Sequence, residues 1–280
     1  MTAERHVARR SVILRVLSSK EAEEHALEAA PAVAQLLGCA ASPLSVLQAT
    51  EKSQTYAFTA SGTRLVAKVH ADPCAMRREK LGLMLFRGGP VPDLVASSDD
   101  RRLLVMTWSD GRPFKASLDP LSLVVSSLAR LHEAARRNLN LVNASQRQHH
   151  GLRAALAREA DAGPARRLAL ACATLWGEDH VPVAVADLKP EHVLVARDAC
   201  NLVDLETTSV GCSELHDLLS LVQFASDPQT FWTQWERGLA AVYLQAARLK
   251  PSASVAALTE AMRIYEQTYS AIRGGDAMHR

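Results

Sequence analysis

Two acidic residues, Asp187 and Asp204, flank a short apolar hairpin pattern. Residues 193–196 (VLVA) and 201–203 (NLV) predict two strands joined by a polar turn, so both carboxylates should emerge on the same side of the hairpin. One carboxylate can then accept a proton from an attacking hydroxyl while the other holds a divalent metal against a polyphosphate. Phosphoryl transfer needs this positioning and charge neutralisation, and little covalent chemistry from the protein.

The residues of this hairpin resemble a known active site. DLKPEHVLV (187–195) resembles the catalytic loop of the protein-kinase superfamily, and VDLE (203–206) is similar to the metal-binding segment of the aminoglycoside and choline phosphotransferases. The resemblance implies that Asp187 is the catalytic base, that Lys189 contacts the transferring phosphate and that Asp204 is the main Mg²⁺ ligand. It also implies ATP or GTP as the phosphate donor and a small-molecule hydroxyl as the acceptor.

The pattern departs from the superfamily at residue 192, where an Asn that coordinates a second metal is expected and His192 is found. Imidazole can bind a divalent ion, but Mg²⁺ prefers oxygen ligands, so the replacement predicts a weaker second metal, a tolerance of Mn²⁺, or a site without turnover. A local structural role for His192 is an equal alternative. The His-Gly or His-Arg pair usual before the base is replaced by Val185-Ala186.

An upstream strand carries the lysine that such a site requires. Residues 43–70 predict three short strands separated by polar turns, and Lys68 lies in the apolar run LVAKV. A lysine in such a strand must find an anion, because a buried unpaired ammonium is costly. The resemblance implies the α- and β-phosphates of the nucleotide, with Glu79 of the next amphipathic segment as the carboxylate partner. A surface ion pair is the alternative.

Two further stretches are expected to contact the nucleotide. The turn EKSQT has no glycine, so Ser53 and Thr55 would offer hydroxyl and backbone N–H groups to a phosphate, although an ordinary hairpin turn has the same sequence. Residues 103–108 (LLVMTW) are similar to the strand that leads into the hinge between kinase lobes. Met106 and Trp108 would then line the adenine edge of an apolar pocket, unless this is an ordinary edge strand.

The resemblance covers roughly residues 43–225 and implies an α+β, two-lobed protein-kinase-like fold with a small β-rich N-lobe and a larger, mainly helical C-lobe. We divide the chain into an N-terminal helical extension packed on the N-lobe (1–42), an N-lobe that clamps the nucleotide (43–108) and a C-lobe for catalysis and acceptor binding (109–280). Pro31 is expected to kink or split the helix of the extension.

Other polar residues are given supporting or acceptor-binding roles. His132 is expected to be a packed structural residue of an amphipathic helix, and Asp217 to brace the catalytic loop from below or to act as a helix N-terminal carboxylate. In this family the C-terminal helices form the far wall of the acceptor pocket. The acidic candidates there, Glu236, Glu260 and Glu266, are few, which does not favour a polycationic acceptor.

Composition is consistent with a large two-lobed globule. The chain has 280 residues, 48% hydrophobic, with 32 Lys and Arg against 30 Asp and Glu, and its arginine pairs are scattered, so no nucleic-acid partner is expected. Its five cysteines show no C-x-x-C spacing and fit reduced thiols. The sequence shows no signal peptide and no apolar run of membrane-spanning length, so we expect a cytoplasmic protein.

The sequence therefore predicts a phosphotransferase that moves the γ-phosphate to a hydroxyl of an antibiotic or another natural product, such as an aminoglycoside. One alternative is a sugar or lipopolysaccharide-core kinase, for which the scattered arginines supply no clear basic rim. Another is a nucleotide-binding pseudokinase with a regulatory role. Retention of Lys68, Glu79, Asp187 and Asp204 together favours an enzyme, because nucleotide binding alone would need only two or three of them.

Overall fold

The N-lobe is built on a five-stranded antiparallel sheet with the strand order β1-β2-β3-β5-β4. The structure is a computed structural model and describes residues 16–158, 163–249 and 253–278. In chain order the elements of this lobe are α1 (Ser19–Leu37), β1 (Ser45–Ala49), β2 (Ser53–Ala60), β3 (Thr63–His70), α2 (Pro73–Leu85), β4 (Leu94–Ser98) and β5 (Leu103–Thr107). The three strands predicted within residues 43–70 are therefore present.

Helix α1 packs on this sheet. Ser18 and Glu21 form a capping box at its start, and Gly38 ends it in the left-handed conformation, with φ 65°. The buried residues of the helix that join the N-lobe core are Ala26, Ala32 and Val33, which lie with Tyr56 and Phe58. Pro31 does not split the helix, because burial of this face offsets the one intrahelical hydrogen bond that a proline removes.

The C-lobe is mainly helical and carries two small antiparallel sheets, β6-β8-β9 and β7-β10. Its strands are β6 (Arg112–Pro113), β7 (Val183–Ala184), β8 (Val193–Ala196), β9 (Ala199–Leu202) and β10 (Ser209–Val210). Its α-helices are α3 (Leu121–Arg137), α4 (Ala144–His150), α5 (Leu152–Arg158), α6 (Pro164–Trp176), α7 (Glu214–Ser220), α8 (Pro228–Gln234), α9 (Ala240–Ala247) and α10 (Val255–Met278). Short 3-10 segments cover Leu139–Leu141, Pro190–His192 and Leu221–Phe224, and a π-helical turn covers Trp235–Leu239.

The predicted hairpin is formed by β8 and β9. Ala196 pairs with Ala199, which leaves a two-residue turn at Arg197 and Asp198, with Arg197 in the left-handed region at φ 50°. The second strand thus begins two residues earlier than its apolar run, and the buried Cys200 belongs to the strand and not to the turn.

Helix α2 joins the two lobes. It belongs to the N-lobe in chain order, yet its apolar face, with Met76, Leu83 and Leu85, packs into the C-lobe core around α3. The predicted two-lobed α+β fold is confirmed. Among the described helices, none combines the length and the apolar character needed to cross a lipid bilayer.

Candidate active site

Lys68 on β3 provides a buried positive charge between the lobes. Its side chain is 7% exposed, and its Nζ lies 2.6 Å from Asp204 Oδ1 and 2.8 Å from Glu79 Oε2. Burial alone would lower the pKa of Lys68, but the attraction of Glu79 and Asp204 raises that pKa above its ordinary value. The ammonium group is therefore permanently charged at the pH values at which proteins work.

A cavity of about 620 Å³ lies next to Lys68. This volume is within the range of roughly 300–1,000 Å³ that is usual for small-molecule sites. Most of the residues predicted to bind nucleotide or metal line it, namely Thr55, Lys68, Glu79, Met106, Trp108, His192 and Asp204. Ser53, Asp187 and Lys189 are not among its lining residues. The structure thus brings a nucleotide-sized space together with the predicted phosphate-binding and metal-binding side chains.

Asp204 is held just after β9 in an unusual backbone conformation. Its φ of 63° lies in the left-handed region, which residues other than glycine rarely adopt. One carboxylate oxygen contacts Lys68, and the other, Oδ2, lies 3.3 Å from His192 Nε2. Burial would raise the pKa of Asp204, but the charge of Lys68 outweighs it, with His192 also contributing, and the pKa is below its ordinary value. Asp204 is therefore an ionised carboxylate that faces the cavity.

Asp187 and Lys189 lie on the loop between β7 and the 3-10 turn Pro190–His192. Lys189 Nζ is 2.6 Å from Asp187 Oδ2, and the two side chains are 41% and 45% exposed, so they are open to an incoming molecule. The hydrogen bond to Asp187 raises the pKa of Lys189. His192 Nδ1 lies 3.0 Å from the Asp187 carbonyl oxygen, so His192 connects this loop to Asp204.

The backbone before Asp187 is fixed by side chains of α7. Ala186 has φ 70°, a strained value for an alanine. The Asp217 carboxylate accepts hydrogen bonds from the N–H groups of Val185 at 2.8 Å and Ala186 at 2.9 Å. His216 Nε2 lies 3.0 Å from the Ala186 carbonyl oxygen, and the fully buried His132 lies 3.0 Å from Asp217. Asp217 therefore supports the loop, and His216 is a support that the sequence pattern did not reveal.

The turn between β1 and β2 is closed by Thr50. Its hydroxyl oxygen accepts hydrogen bonds from the N–H groups of Lys52 at 3.3 Å and Ser53 at 3.2 Å. These backbone donors are therefore engaged within the turn, and Ser53 starts the strand that follows it. Thr55 lies opposite Lys68 in the β2–β3 pairing and faces the cavity. A threonine hydroxyl can accept a hydrogen bond from the backbone two residues on, so Thr50 at the start of a polar turn was a weak sequence signal of this closure.

Trp108 lines the cavity and is held by two neighbouring side chains. The guanidinium carbon of Arg64 lies 3.5 Å from the centre of the indole ring, a cation–π stack. The indole N–H donates a hydrogen bond to Asp110 at 2.9 Å. Trp108 therefore presents a fixed apolar surface to the cavity.

Sequence reasoning missed two residues next to Lys68, His70 and Glu206. The ring of His70 lies 2.9 Å from Glu79 Oε2 through Nε2 and 3.9 Å from Glu206 Oε2 through Nδ1. His70 follows Lys68 by two positions on β3, so the alternation of side chains along a strand places both on the same face. That alternation is the signal that could have identified His70.

The β-rich N-lobe and the helical C-lobe together define a protein-kinase-like fold. Among solved structures, the chain is similar to a macrolide 2'-phosphotransferase from Brachybacterium faecium, with a TM-score of 0.53, 19% identity, and coverage of 91% of this chain and 95% of that one. It is also similar to a Ralstonia eutropha protein provisionally classed as an aminoglycoside phosphotransferase, with a TM-score of 0.54, 15% identity, and coverage of 86% and 85%. At these identities the likeness establishes the fold. No protein-family model matches the chain, and no curated protein sequence matches it.

Proposed function

We propose that this protein is a small-molecule kinase that transfers the γ-phosphate of ATP or GTP to a hydroxyl group of an antibiotic or another natural product. The observation that carries the proposal is the meeting of Lys68, Asp204 and His192 at one end of a nucleotide-sized cavity. Asp187, on a loop braced from α7, is joined to them through His192. A buried ammonium and an ionised carboxylate so placed suit a polyphosphate and its counter-ion.

Each residue of the site has a role in this reaction. Lys68, paired with Glu79, binds the α- and β-phosphates, and Lys189 steadies the γ-phosphate. Asp187 accepts the proton of the acceptor hydroxyl as its oxygen forms a bond to the γ-phosphorus. The bond from that phosphorus to the β–γ bridging oxygen breaks, and the nucleoside diphosphate leaves with the electron pair.

The donor atoms around Asp204 fit a divalent metal. Asp204 Oδ2 and His192 Nε2 are 3.3 Å apart, a separation suited to two ligands that share one ion at about 2.0–2.2 Å. A bound Mg²⁺ or Mn²⁺ would neutralise charge on the phosphates. A carboxylate with an imidazole binds Mg²⁺ less favourably than two oxygen ligands do. This pair therefore favours Mn²⁺ more than the Asp–Asn pair of the superfamily does.

The acceptor class is supported by the fold and by the C-terminal helices. The macrolide 2'-phosphotransferase has the same fold over nearly its whole length. Of the three acidic residues considered for a cationic acceptor, Glu236 is paired with Arg263, with 2.5 Å between the charged groups. An acceptor with few positive charges therefore suits this surface better than a polycation.

The test is nucleotide turnover with Mg²⁺ and with Mn²⁺ against a panel of macrolides, aminoglycosides and other hydroxylated natural products. We expect acceptor-dependent release of ADP or GDP that falls by at least about a hundredfold in Asp187→Asn, because the proton acceptor is lost. Asp198→Asn is the matched control, since this exposed carboxylate lies in the β8–β9 turn away from the site.

Two results would contradict the proposal. If Asp187→Asn retains the turnover of the wild type, Asp187 is not the base. If the protein binds nucleotide and no acceptor of the panel is phosphorylated with either metal, a nucleotide-binding pseudokinase explains the site better.

A further inference from the structure

The buried residue His70 has polar atoms without hydrogen-bond partners. Its side chain is 0% exposed, and neither Nδ1 nor Nε2 makes a hydrogen bond within the described part of the chain. Glu79 Oε2 is also buried, and it is ion-paired with Lys68 at 2.8 Å and lies 2.9 Å from His70 Nε2. Buried polar atoms are normally hydrogen-bonded, so the two nitrogens of His70 require an explanation.

The arrangement of these atoms is that of metal ligands. His70, Glu79 and Glu206 each offer one ligand atom, and the three atoms lie within 4.8 Å of one another. The 2.9 Å contact between His70 Nε2 and Glu79 Oε2 does not have the alignment of a hydrogen bond. It is a few tenths of an ångström shorter than the roughly 3.3 Å between adjacent ligands of a tetrahedral ion bound at about 2.0–2.1 Å, a difference that a small side-chain rotation removes. The Glu206 side chain is 29% exposed, so it can rotate to complete the set.

The charges of this cluster also favour a cation. Glu79, Asp204 and Glu206 all lie within 4 Å of Lys68, so three carboxylates face one ammonium group. Lys68 lies 2.6 Å from Asp204 and 2.8 Å from Glu79, so it has two close carboxylate partners. A cation that takes Glu79 from Lys68 would leave Lys68 paired with Asp204.

We propose that His70, Glu79 and Glu206 bind a Zn²⁺ ion behind the nucleotide cavity, at a site distinct from Asp204 and His192. One imidazole with two carboxylates is a ligand set that zinc accepts, with a water molecule in the fourth position. Because Glu79 also positions Lys68, the zinc-bound form holds Lys68 less firmly and binds nucleotide more weakly. This inhibitory effect rests on the proposed function, whereas zinc binding itself does not.

Zinc binding is measured by calorimetric titration of the chelator-treated full-length protein with ZnCl₂, and Co²⁺ absorption in the visible range reports the ligand set. We expect the wild type to bind one more equivalent of Zn²⁺ than His70→Gln binds. His180→Gln is the matched control, because His180 also forms a buried pair with a glutamate, at 2.6 Å from Glu214, and lies outside the cluster. Should His70→Gln fail to fold, as judged by circular dichroism, Glu206→Gln replaces it, since its side chain is partly exposed.

The variant His192→Asn distinguishes the two metal sites. It removes the imidazole of the proposed catalytic metal site, and it should still bind the equivalent of Zn²⁺ that depends on His70. If the wild type and a folded His70→Gln or Glu206→Gln variant bind Zn²⁺ with the same stoichiometry and affinity, these side chains are not zinc ligands and the proposal is wrong.

The effect of Zn²⁺ on nucleotide binding is measured separately. The Kd for ATP should rise on addition of Zn²⁺ in the wild type and stay constant in His70→Gln. A wild type that binds Zn²⁺ but never ATP would retain the zinc site and reject the kinase. A wild type that phosphorylates an acceptor without binding Zn²⁺ would reject the zinc site alone.

Discussion

The unfavourable backbone conformation of Asp204 is connected with the contacts that its carboxylate makes. A left-handed backbone at a residue with a side chain costs on the order of 1 kcal/mol or more, and a glycine would avoid that cost. Only a carboxylate can meet Lys68 on one side and His192 on the other. The strain is offset by these two contacts, which point the acidic group into the cavity.

His192 is the residue whose replacement should be most informative. We expect His192→Asn to raise kcat with Mg²⁺ relative to kcat with Mn²⁺ on the order of tenfold, because an amide oxygen suits Mg²⁺ better than an imidazole nitrogen does. Turnover measured with each metal for the wild type, His192→Asn and His192→Ala checks this. If the Asn and Ala variants have the same metal preference, His192 does not contact the metal.

At the scale of elements, the close approach of α2 to the segment after Asp204 positions Glu79. Gly82 is buried on this helix, and a Cβ there would lie 2.4 Å from Thr208 Oγ1 and 3.0 Å from Leu205 Cβ. The Thr208 hydroxyl is itself buried and donates a hydrogen bond to the Leu205 carbonyl oxygen at 2.8 Å. The absence of a side chain at Gly82 therefore allows α2 to bring Glu79 to Lys68.

Gly82→Ala should therefore destabilise the protein, although alanine is the better helix former. Alanine in a helix is worth about 1 kcal/mol over glycine, but overpacking costs about 1–3 kcal/mol, so the free energy of unfolding should fall. Nucleotide affinity should fall with it, since Glu79 moves away from Lys68. Chemical denaturation and a nucleotide-binding titration check both effects, with Cys74→Ala at the exposed start of α2 as control. A more stable Gly82→Ala protein would disprove the tight contact.

At the scale of the whole molecule, the two lobes share part of their buried apolar surface through α2. The apolar face of α2 is buried against the C-lobe core, while a second core lies between α1 and the N-lobe sheet. Lys68 and Asp204 add a buried ionic contact between the lobes. We therefore expect that the predicted division near residue 108 does not separate independent folding units.

A fragment of residues 16–108 should not fold on its own. Its α2 would expose Met76, Leu83, Leu85 and Phe86, which are all buried in the full chain. We expect a single cooperative thermal transition for the full chain and none for the fragment, measured by near-UV and far-UV circular dichroism. A sharp transition in the isolated fragment would show that the N-lobe is an independent domain.

The sequence alone determined the fold class, because short-range patterns specify it. Alternating apolar residues predicted the N-lobe strands around Lys68, and the DLKPEHVLV and VDLE segments placed the two carboxylates beside one hairpin. These features depend only on residues that are close together in the sequence. The start of β9 was misplaced because the pairing register, and not the apolar run, decides where a strand begins.

Only the tertiary structure decided which distant residues meet. The contact of Lys68 with Asp204 and the support of Ala186 by His216 depend on the packing of separate elements, which no local spacing records. Alternation along β3 places His70 on the same face as Lys68, but a histidine in a strand has the same sequence signal whether its ring is solvated or buried between two glutamates, so only the packing showed its surroundings. Burial and the identity of spatial neighbours set the charge and the ligands of such a group, and both arise only when the lobes close around it.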